Sequence, residues 1–185
     1  MTASAGFPAG LDDFDALVAA NGRRVHRLLF AILRDEEAAE TLTQECFLRA
    51  YQTRASFRGD CSASTWLVRI AVNLARDRVR NRRVEFWRRL VGIRNREEES
   101  ILEALPDVHA SPETSVIVRE QVTAVFVALD DLTTQQRTAF VLRFVEEMSV
   151  DEIGDAMSLR VGTVKSHLFR AVGAVRKKLK EHSKK

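Results

Sequence analysis

The spacing of the apolar residues constrains this chain most, because they recur at steps of three and four along most of its length. The three clearest stripes are Val25, Leu28, Leu29, Ile32 and Leu33; Trp66, Leu67, Ile70, Ala71 and Leu74; and Val122, Val125, Phe126 and Leu129. Such stripes are typical of amphipathic helices. The alternating pattern of strands is absent, and only three prolines occur. We therefore predict an all-α fold.

The middle of the chain differs in composition from both halves. It holds two of the three prolines and an acidic run at 97–99, and it keeps no long helical period. We predict two small helical domains, at residues 13–83 and 116–185. The segment 84–115 is then an extended or partly helical linker of roughly 30 residues, a length that is usually functional or disordered. We expect residues 1–12 to form a short flexible leader.

Composition excludes several classes of protein. With 45% hydrophobic residues and a formal net charge of +3, the chain of 185 residues can build a core. No apolar run approaches the roughly 18 residues of a membrane span, and the N-terminus lacks the pattern of a secretory signal. Two cysteines, Cys46 and Cys61, and four scattered histidines suggest neither a disulfide framework nor a metal site. We expect a cytoplasmic protein without metal or cofactor, with both thiols inert and Cys46 buried.

The C-terminal half carries the signature of a helix-turn-helix. Thr133–Gln136 and Ser149–Glu152 have the form of capping boxes, each of which opens a helix. The three residues 158–160 are the length of the turn, and a further helix begins near Val161. Gly154 has no side chain, and we expect it where the two helices come close. Together these features predict a trihelical helix-turn-helix.

The second helix of this motif usually enters the major groove of DNA. If Val164 and Leu168 face inward, the outward and flanking residues are Thr163, Lys165, Ser166, Phe169 and Arg170. Cations and hydroxyls suit phosphate or guanine edges, and an aromatic edge suits a thymine methyl. The alternative is a helical hairpin with a solvated basic face.

The helix predicted from Thr65 to Arg83 has a second, basic side opposite its apolar stripe. Its members are Arg69, Asn73, Arg76, Arg80 and Arg83. The guanidinium group of arginine makes paired hydrogen bonds to phosphate and stacks on bases. This cluster of arginines on one helix face therefore predicts a surface that binds nucleic acid. The alternative is an arginine face that forms salt bridges to another domain. On the preceding helix, Gln44 and Glu45 lie away from the predicted core and could meet a basic partner protein.

Three segments resemble the extracytoplasmic-function (ECF) group of bacterial sigma factors. Phe57-Arg58-Gly59-Asp60 with Thr65-Trp66-Leu67-Val68-Arg69-Ile70-Ala71-Val72-Asn73 is similar to the family's region 2. Leu42-Thr43-Gln44-Glu45-Cys46-Phe47-Leu48-Arg49-Ala50-Tyr51 is similar to its preceding helix. Val161-Gly162-Thr163-Val164-Lys165-Ser166 with Leu168-Phe169-Arg170-Ala171 is similar to the recognition helix of region 4. The likeness covers about 14–83 and 119–179, and it implies a subunit that gives core RNA polymerase its promoter choice.

The resemblance also implies contacts, residue by residue. The β′ clamp helices of the polymerase would meet Gln44, Glu45 and Leu48. The −10 element of promoter DNA, melted with a flipped base, would meet Arg58, Asp60, Cys61, Ser62, Ala63, Ser64, Arg69, Asn73, Arg76 and Arg80. The −35 duplex would meet Thr163, Lys165, Ser166, Phe169 and Arg170. Further partners implied by the family are the β flap and an anti-sigma factor, with no insertion into a membrane.

The chain departs from the family pattern at a few positions, and other function classes stay open. Many relatives carry aromatics where this chain has Ala63 and Ser64, and a glycine where it has Ser158. Phosphate-binding glycine loops and hydrolase or metalloprotease motifs are absent, which argues against an enzyme. The rival readings are a metal-dependent nuclease, a conventional operator-binding repressor and a helical adaptor that binds only proteins.

Overall fold

The structure is a computed structural model that describes residues 11–90 and 127–182, with side chains from 14 to 82 and from 127 to 181. Within these stretches the regular elements are helices: α1 (Leu11–Leu33), α2 (Glu36–Thr53), a 3₁₀ turn (Arg54–Ser56), α3 (Ala63–Leu90), α4 (Thr134–Phe144), α5 (Val150–Met157) and α6 (Val161–His182). A helical segment at 127–130 precedes α4. The prediction of an all-α fold is confirmed. Residues 11 and 12, predicted as the end of the leader, belong to α1, and the rest of the predicted leader lies outside the described residues, as does most of the predicted linker.

Local signals in the sequence explain where α1 ends and α2 begins. Arg34 adopts a left-handed backbone with φ of 56°, which stops α1. Asp35 then caps α2, since its carboxylate accepts a hydrogen bond from the amide of Ala38 at 3.0 Å. Glu36 and Glu37 occupy the first turn, where the helix dipole favours negative charge. The chain therefore reverses within two residues, and α2 lies antiparallel against α1.

The first three helices pack into an N-terminal domain around the predicted apolar stripes. The buried residues that form this core include Val25, Leu28, Leu29, Ile32, Leu42, Cys46, Phe47, Ala50, Leu67, Val68, Ala71, Leu74 and Ala75. Trp66 and Ile70 are partly buried and pack against the core. The first two stripes are thus confirmed. Of the third stripe, only Leu129 is described, and it is buried.

The C-terminal domain is built on the two predicted capping boxes, and both are confirmed. The amide of Gln136 donates to Thr133 Oγ1 at 3.4 Å, and the amide of Thr133 donates to Gln136 Oε1 at 3.1 Å. At α5 the amide of Glu152 donates to Ser149 Oγ at 3.2 Å, and the amide of Ser149 donates to Glu152 Oε2 at 2.8 Å. These bonds satisfy amides that would otherwise lack partners at the helix starts. They set where α4 and α5 begin.

The two domains lie against each other, with α1 against α4 and α3 against α5. The buried core continues from one domain into the other. Helix α3 runs to Leu90, beyond the boundary predicted at residue 83, so the first residues of the predicted linker are helical. None of the described helices is both long and apolar enough to cross a membrane.

Candidate nucleic-acid interface

The turn between α5 and α6 closes tightly around Gly154. The amide of Leu159 donates to the carbonyl of Gly154 at 2.9 Å, and a Cβ at Gly154 would lie 3.0 Å from the carbonyl oxygen of Leu159. The close neighbour is therefore the backbone of the turn, whereas the sequence suggested the crossing of two helices. Ser158 adopts a left-handed backbone with φ of 54°. That conformation explains why a glycine suits this position.

The structure confirms the predicted orientation of α6. Val164 is fully buried and Leu168 packs against the core. The five predicted DNA-contact residues are all exposed, and they are Thr163, Lys165, Ser166, Phe169 and Arg170. Within the described part of the chain, Phe169 is 83% exposed, which is unusual for an aromatic side chain. The outward face of α6 thus combines two cations, two hydroxyls and a bare aromatic ring.

His167 separates the two cations of this face along α6. Its Nδ1 is buried and has no hydrogen-bond partner among the described residues. Burial lowers the pKa of His167, and the positive charge of Arg170 lowers it further. His167 is therefore neutral at physiological pH, and the positive charge of the face comes from Lys165 and Arg170.

The loop before α3 presents several of the residues matched to the −10 element. Arg58, Asp60 and Ser62 are exposed, and Cys61 is partly exposed. Gly59 has φ of 77°, a conformation that favours glycine. At the entrance to the loop, the ring of Phe57 packs on Trp66 with their centroids 5.1 Å apart.

Ser62 ends this loop and caps α3. Its Oγ accepts a hydrogen bond from the amide of Thr65 at 3.1 Å, and its carbonyl accepts one from Trp66 at 3.0 Å. The helix therefore begins at Ala63, earlier than the predicted start at Thr65. Ala63 and Ser64 belong to the first helical turn rather than to the loop, and both are partly buried.

The arginine face of α3 is only partly open. Arg76 and Arg80 are exposed, whereas Arg69 and Asn73 are partly buried. Arg69 Nη2 lies 3.7 Å from a carboxylate oxygen of Asp155, and Arg76 Nη1 donates to the carbonyl of Met157 at 3.2 Å. The arrangement matches the alternative in which this face contacts another domain. Two of its polar atoms, Arg69 Nε and Asn73 Oδ1, are buried without a hydrogen-bond partner among the described residues.

The residues matched to the polymerase contact lie on one helix, α2. Gln44 is exposed and Leu48 is 56% exposed, whereas Glu45 is partly buried and pairs with Arg49 at 2.7 Å. A groove of about 230 Å³ runs beside them between α2 and α3, and its polar lining includes Glu45, Arg49, Asp77, Arg78 and Asn81. The lining of this groove therefore carries both positive and negative charge.

One arginine, Arg137 of α4, joins the two domains, and this role was not predicted from the sequence. Arg137 is buried, and its guanidinium donates to the carbonyls of Leu129, Leu132 and Ile32 at 2.8, 3.2 and 3.0 Å. Burial lowers its pKa, an effect that the carboxylate of Asp130 opposes. The sequence holds no signal for this role, because a single arginine in an amphipathic helix normally faces solvent.

The described residues offer little to reactive or metal chemistry. Cys46 is fully buried, and its thiol donates to the carbonyl of Leu67 at 3.6 Å. Burial raises the pKa of Cys46 to about 12, which fits the predicted inert role. In the part of the chain that the structure describes, His, Cys, Asp and Glu form no group of three that could hold a metal ion.

Comparisons with known proteins agree with this geometry. The family model of Sigma-70 region 2 matches residues 17–85, and that of Sigma-70, region 4 matches residues 124–175. The chain is 31% identical to the ECF RNA polymerase sigma factor SigW of Bacillus subtilis, over 92% of this chain and 90% of that protein. It is 34% identical to the RNA polymerase sigma-H factor of Pseudomonas aeruginosa, over 90% of this chain and 86% of that protein.

A solved structure shares the fold. The sigma factor RpoE of Bartonella quintana, crystallised with the anti-sigma factor NepR, superposes with a TM-score of 0.70 over 92% of this chain and 98% of that chain, at 20% identity. The family models together span more than half of the sequence, and both relatives are matched over most of their length. The chain therefore belongs to the ECF group of the sigma-70 family, whose members direct promoter-specific initiation of transcription.

Proposed function

We propose that this sigma factor reads its promoters at two separate places, with each domain recognising a different form of DNA. Helix α6 would enter the major groove of the −35 duplex. The loop 58–62, the first turn of α3 and the arginine face of α3 would hold the −10 element as a single strand. The observation that carries the proposal is the outward face of α6, where all five predicted contact residues are exposed while Val164 is buried.

The −35 contact uses the N-terminal half of α6, as in other helix-turn-helix proteins. Lys165 and Arg170 would pair with phosphates or guanine edges, and Thr163 and Ser166 with phosphate oxygens. The bare ring of Phe169 would lie against a thymine methyl group, where burial of apolar area favours binding. The two capping boxes and the closed turn at Gly154 hold this face in place before DNA arrives.

The −10 contact needs bases that have left the duplex. Separating bases costs a few kcal/mol per step, and the sequence holds no nucleotide-hydrolysis motif. Strand opening would therefore be driven by binding to the exposed strand and to polymerase. Asn73 suits the role of base reader, because its amide can both donate and accept hydrogen bonds and its Oδ1 has no partner among the residues that the structure describes. Arg76 and Arg80 would neutralise phosphates of the captured strand.

Other contacts follow from the family. We propose that Gln44, Glu45 and Leu48 dock on the β′ clamp helices, and that the C-terminal domain contacts the β flap. An anti-sigma factor would hold the free protein inactive, and the exposed apolar pair Phe144 and Val145 suits such a partner. The protein would act in the cytoplasm, where polymerase and promoters are, without catalytic chemistry of its own.

Replacing Asn73 tests the −10 assignment. With core polymerase and a promoter that the protein recognises, Asn73→Ala should slow open-complex formation, followed by permanganate reactivity of unpaired thymines, while closed binding stays near wild type. Asn21→Ala is the matched control, because Asn21 lies on α1 and its amide donates to the carbonyl of Leu17. Equal losses in the closed and open assays would refute the role of Asn73 as a base reader.

A second pair of variants tests polymerase docking. Gln44→Ala with Glu45→Ala should lower the affinity for core polymerase in co-purification. Glu40→Ala with Gln52→Ala removes the same residue types from exposed positions of the same helix and should bind normally. Unchanged affinity of the first pair would refute the docking assignment. A conventional repressor would instead show tight duplex binding without polymerase.

A further inference from the structure

The outward face of α6 continues beyond the residues proposed to read the −35 duplex. The helix carries six lysines and arginines and a single acidic residue, Glu181. Steps of three and four residues join the reading half to the C-terminal half, and the residues along this face are Lys165, Ser166, Phe169, Arg170, Gly173, Arg176, Lys177 and Lys180. All eight are exposed, whereas Val164, Ala171 and Val175 are buried on the opposite side. The C-terminal cations therefore point in the same direction as the −35 readers.

Two of these cations, Arg176 and Lys177, have no role in the packing of the described chain. They form no ion pair among the residues that the structure describes, whereas the neighbouring Lys178 pairs with Asp131 at 2.6 Å. The helix dipole favours cations, but its effect falls off within the last turn. The dipole therefore accounts for Lys180 and does not account for Arg176 and Lys177, which precede that turn.

A glycine interrupts this face between Arg170 and Lys177. A Cβ at Gly173 would have no neighbour within 4 Å among the described residues. Packing within that part of the chain thus gives no reason for a glycine, which is less favourable than alanine inside a helix. The bare backbone at Gly173 lets another molecule approach α6 closely.

We infer that the C-terminal half of α6 makes a second, sequence-independent contact with DNA, in which Arg176 and Lys177 bind backbone phosphates at the rim of the −35 major groove. The inference rests on the proposed function. From Val161 to Arg170 the helix is about 14 Å long, close to the groove width of about 12 Å. Residues beyond Arg170 therefore lie level with the sugar-phosphate backbone at the edge of the groove. Long helical side chains lean toward the N-terminus, so both cations reach back to that edge.

Continuity with the reading face favours phosphate over an acidic protein surface as the partner of these cations. Contacts with phosphate fix the position of a protein on the duplex without reading its sequence. They also release counterions, so their contribution to affinity falls steeply as salt rises. Arg176 and Lys177 thus add affinity and hold α6 in register, while the choice of sequence belongs to residues such as Lys165 and Arg170.

Removing the two charges tests the contact in the holoenzyme. Arg176→Gln with Lys177→Gln keeps good helix formers at both positions. Closed binding to a promoter fragment selected by the wild-type holoenzyme is measured at several salt concentrations. Each lost phosphate contact should lower the slope of log affinity against log salt by about 0.9. Between 50 and 200 mM salt, the wild-type affinity should therefore fall about 12-fold more than that of the variant.

Two control variants separate the contact from net charge and from folding. Arg143→Gln with Lys178→Gln removes two charges from the same domain, where Arg143 donates to the carbonyl of Met148 and Lys178 pairs with Asp131. This control should keep the wild-type salt slope. Exchanging the two cations, as Arg176→Lys with Lys177→Arg, should keep it as well. If the double glutamine variant does not fold by circular dichroism, Arg176→Gln alone should show half of the change in slope.

Neutral methylphosphonates locate the contacts on the DNA. Each is placed singly in the backbone around the −35 element, where it replaces one charged phosphate. The wild-type holoenzyme should lose affinity at one or two of these positions. The double glutamine variant should lose nothing further at the same positions, because its contact with those phosphates is already absent.

The outcomes separate this inference from the proposed function. An unchanged salt slope in the folded variant overturns the inference, even if Lys165→Ala with Arg170→Ala relaxes the −35 element. A changed base preference of the glutamine variant in a random promoter library also overturns it, since these residues would then read bases. Weaker binding to core polymerase with an unchanged slope on DNA overturns it too and assigns the face to an acidic protein. If the slope falls while the Lys165 and Arg170 variant keeps its −35 preference, the phosphate contact stands and the proposed base readers are wrong.

Discussion

Replacing Arg137 by methionine should destabilise the protein more than the loss of any exposed arginine. Among the described residues, its guanidinium donates to four backbone carbonyls, those of Ile32, Leu129, Asp130 and Leu132. The carbonyl of Leu129 also accepts from the amide of Leu132 at 3.2 Å. Methionine fills much of the volume of the arginine side chain but leaves the carbonyls of Ile32, Asp130 and Leu132 without this donor. Each buried carbonyl that loses its hydrogen-bond donor costs about 1–3 kcal/mol of stability. Removing the buried charge of Arg137 offsets part of this total cost. We expect a loss of about 3 kcal/mol in the free energy of unfolding.

Urea unfolding followed by far-ultraviolet circular dichroism measures this loss. With slopes of about 1–3 kcal/mol/M, a loss of about 3 kcal/mol should lower the midpoint by roughly 1–3 M. Arg143→Met is the matched control, because Arg143 is exposed and its Nη1 donates to the single carbonyl of Met148 at 2.8 Å. That control should lose about 1 kcal/mol or less. If the Arg137 variant were no less stable than the Arg143 variant, the role of Arg137 as a buried hydrogen-bond hub would be wrong.

Three further results are expected. Ser158→Gly should raise the midpoint temperature of thermal unfolding, because glycine adopts the left-handed backbone of this position without strain. The control Ser166→Gly, within α6, should lower the midpoint. A lower midpoint for Ser158→Gly would contradict the strain at the turn. Hydrogen bonds to Ser149 hold the pKa of Glu152 below its ordinary value of 4.5, so the stability that this carboxylate adds over Glu152→Gln should be present above that pH. This added stability should vanish as the pH falls through the pKa of Glu152 in the folded protein. If the loss of stability at acid pH were the same in the wild type and in Glu152→Gln, this prediction would be refuted. Iodoacetamide should label Cys61 and spare Cys46 in the native protein, and equal labelling, read by mass spectrometry, would contradict the burial of Cys46.

Much of the fold could be predicted, because its signals are local. The capping boxes at Thr133 and Ser149 depend on side chains three residues apart, and the structure reproduces both. The inward side of α6 follows from the helical period, which places Val164 and Leu168 on one side. The predicted start of α3 at Thr65 is two residues too late, because Ser62 supplies the N-cap and the helix begins at Ala63. Such a choice depends on the conformation of the preceding loop.

The arrangement of the domains could not be predicted in the same way. Contacts such as those of Arg34 with Asp130 and of Arg137 with Ile32 join residues about a hundred positions apart. The helical spacing of residues predicts which side of a helix is buried, but it does not predict which surface arginine contacts an acidic residue or a carbonyl far away in the sequence. The arginine face of α3 shows the consequence, since the sequence supports both nucleic acid and another domain as its partner. In the structure of the free chain, this face contacts the C-terminal domain. Contact with nucleic acid is our proposal for the protein on DNA.

The central claim is that each domain recognises its own promoter element for core polymerase. In vitro transcription with core polymerase on a library of random promoter sequences tests it most directly. Adding this protein should yield new transcripts whose upstream regions share two short elements at a constant spacing. Lys165→Ala with Arg170→Ala should relax the upstream element, and Asn73→Ala should weaken opening at the downstream one. Polymerase that starts no new transcripts on any template when the protein is added would contradict the account.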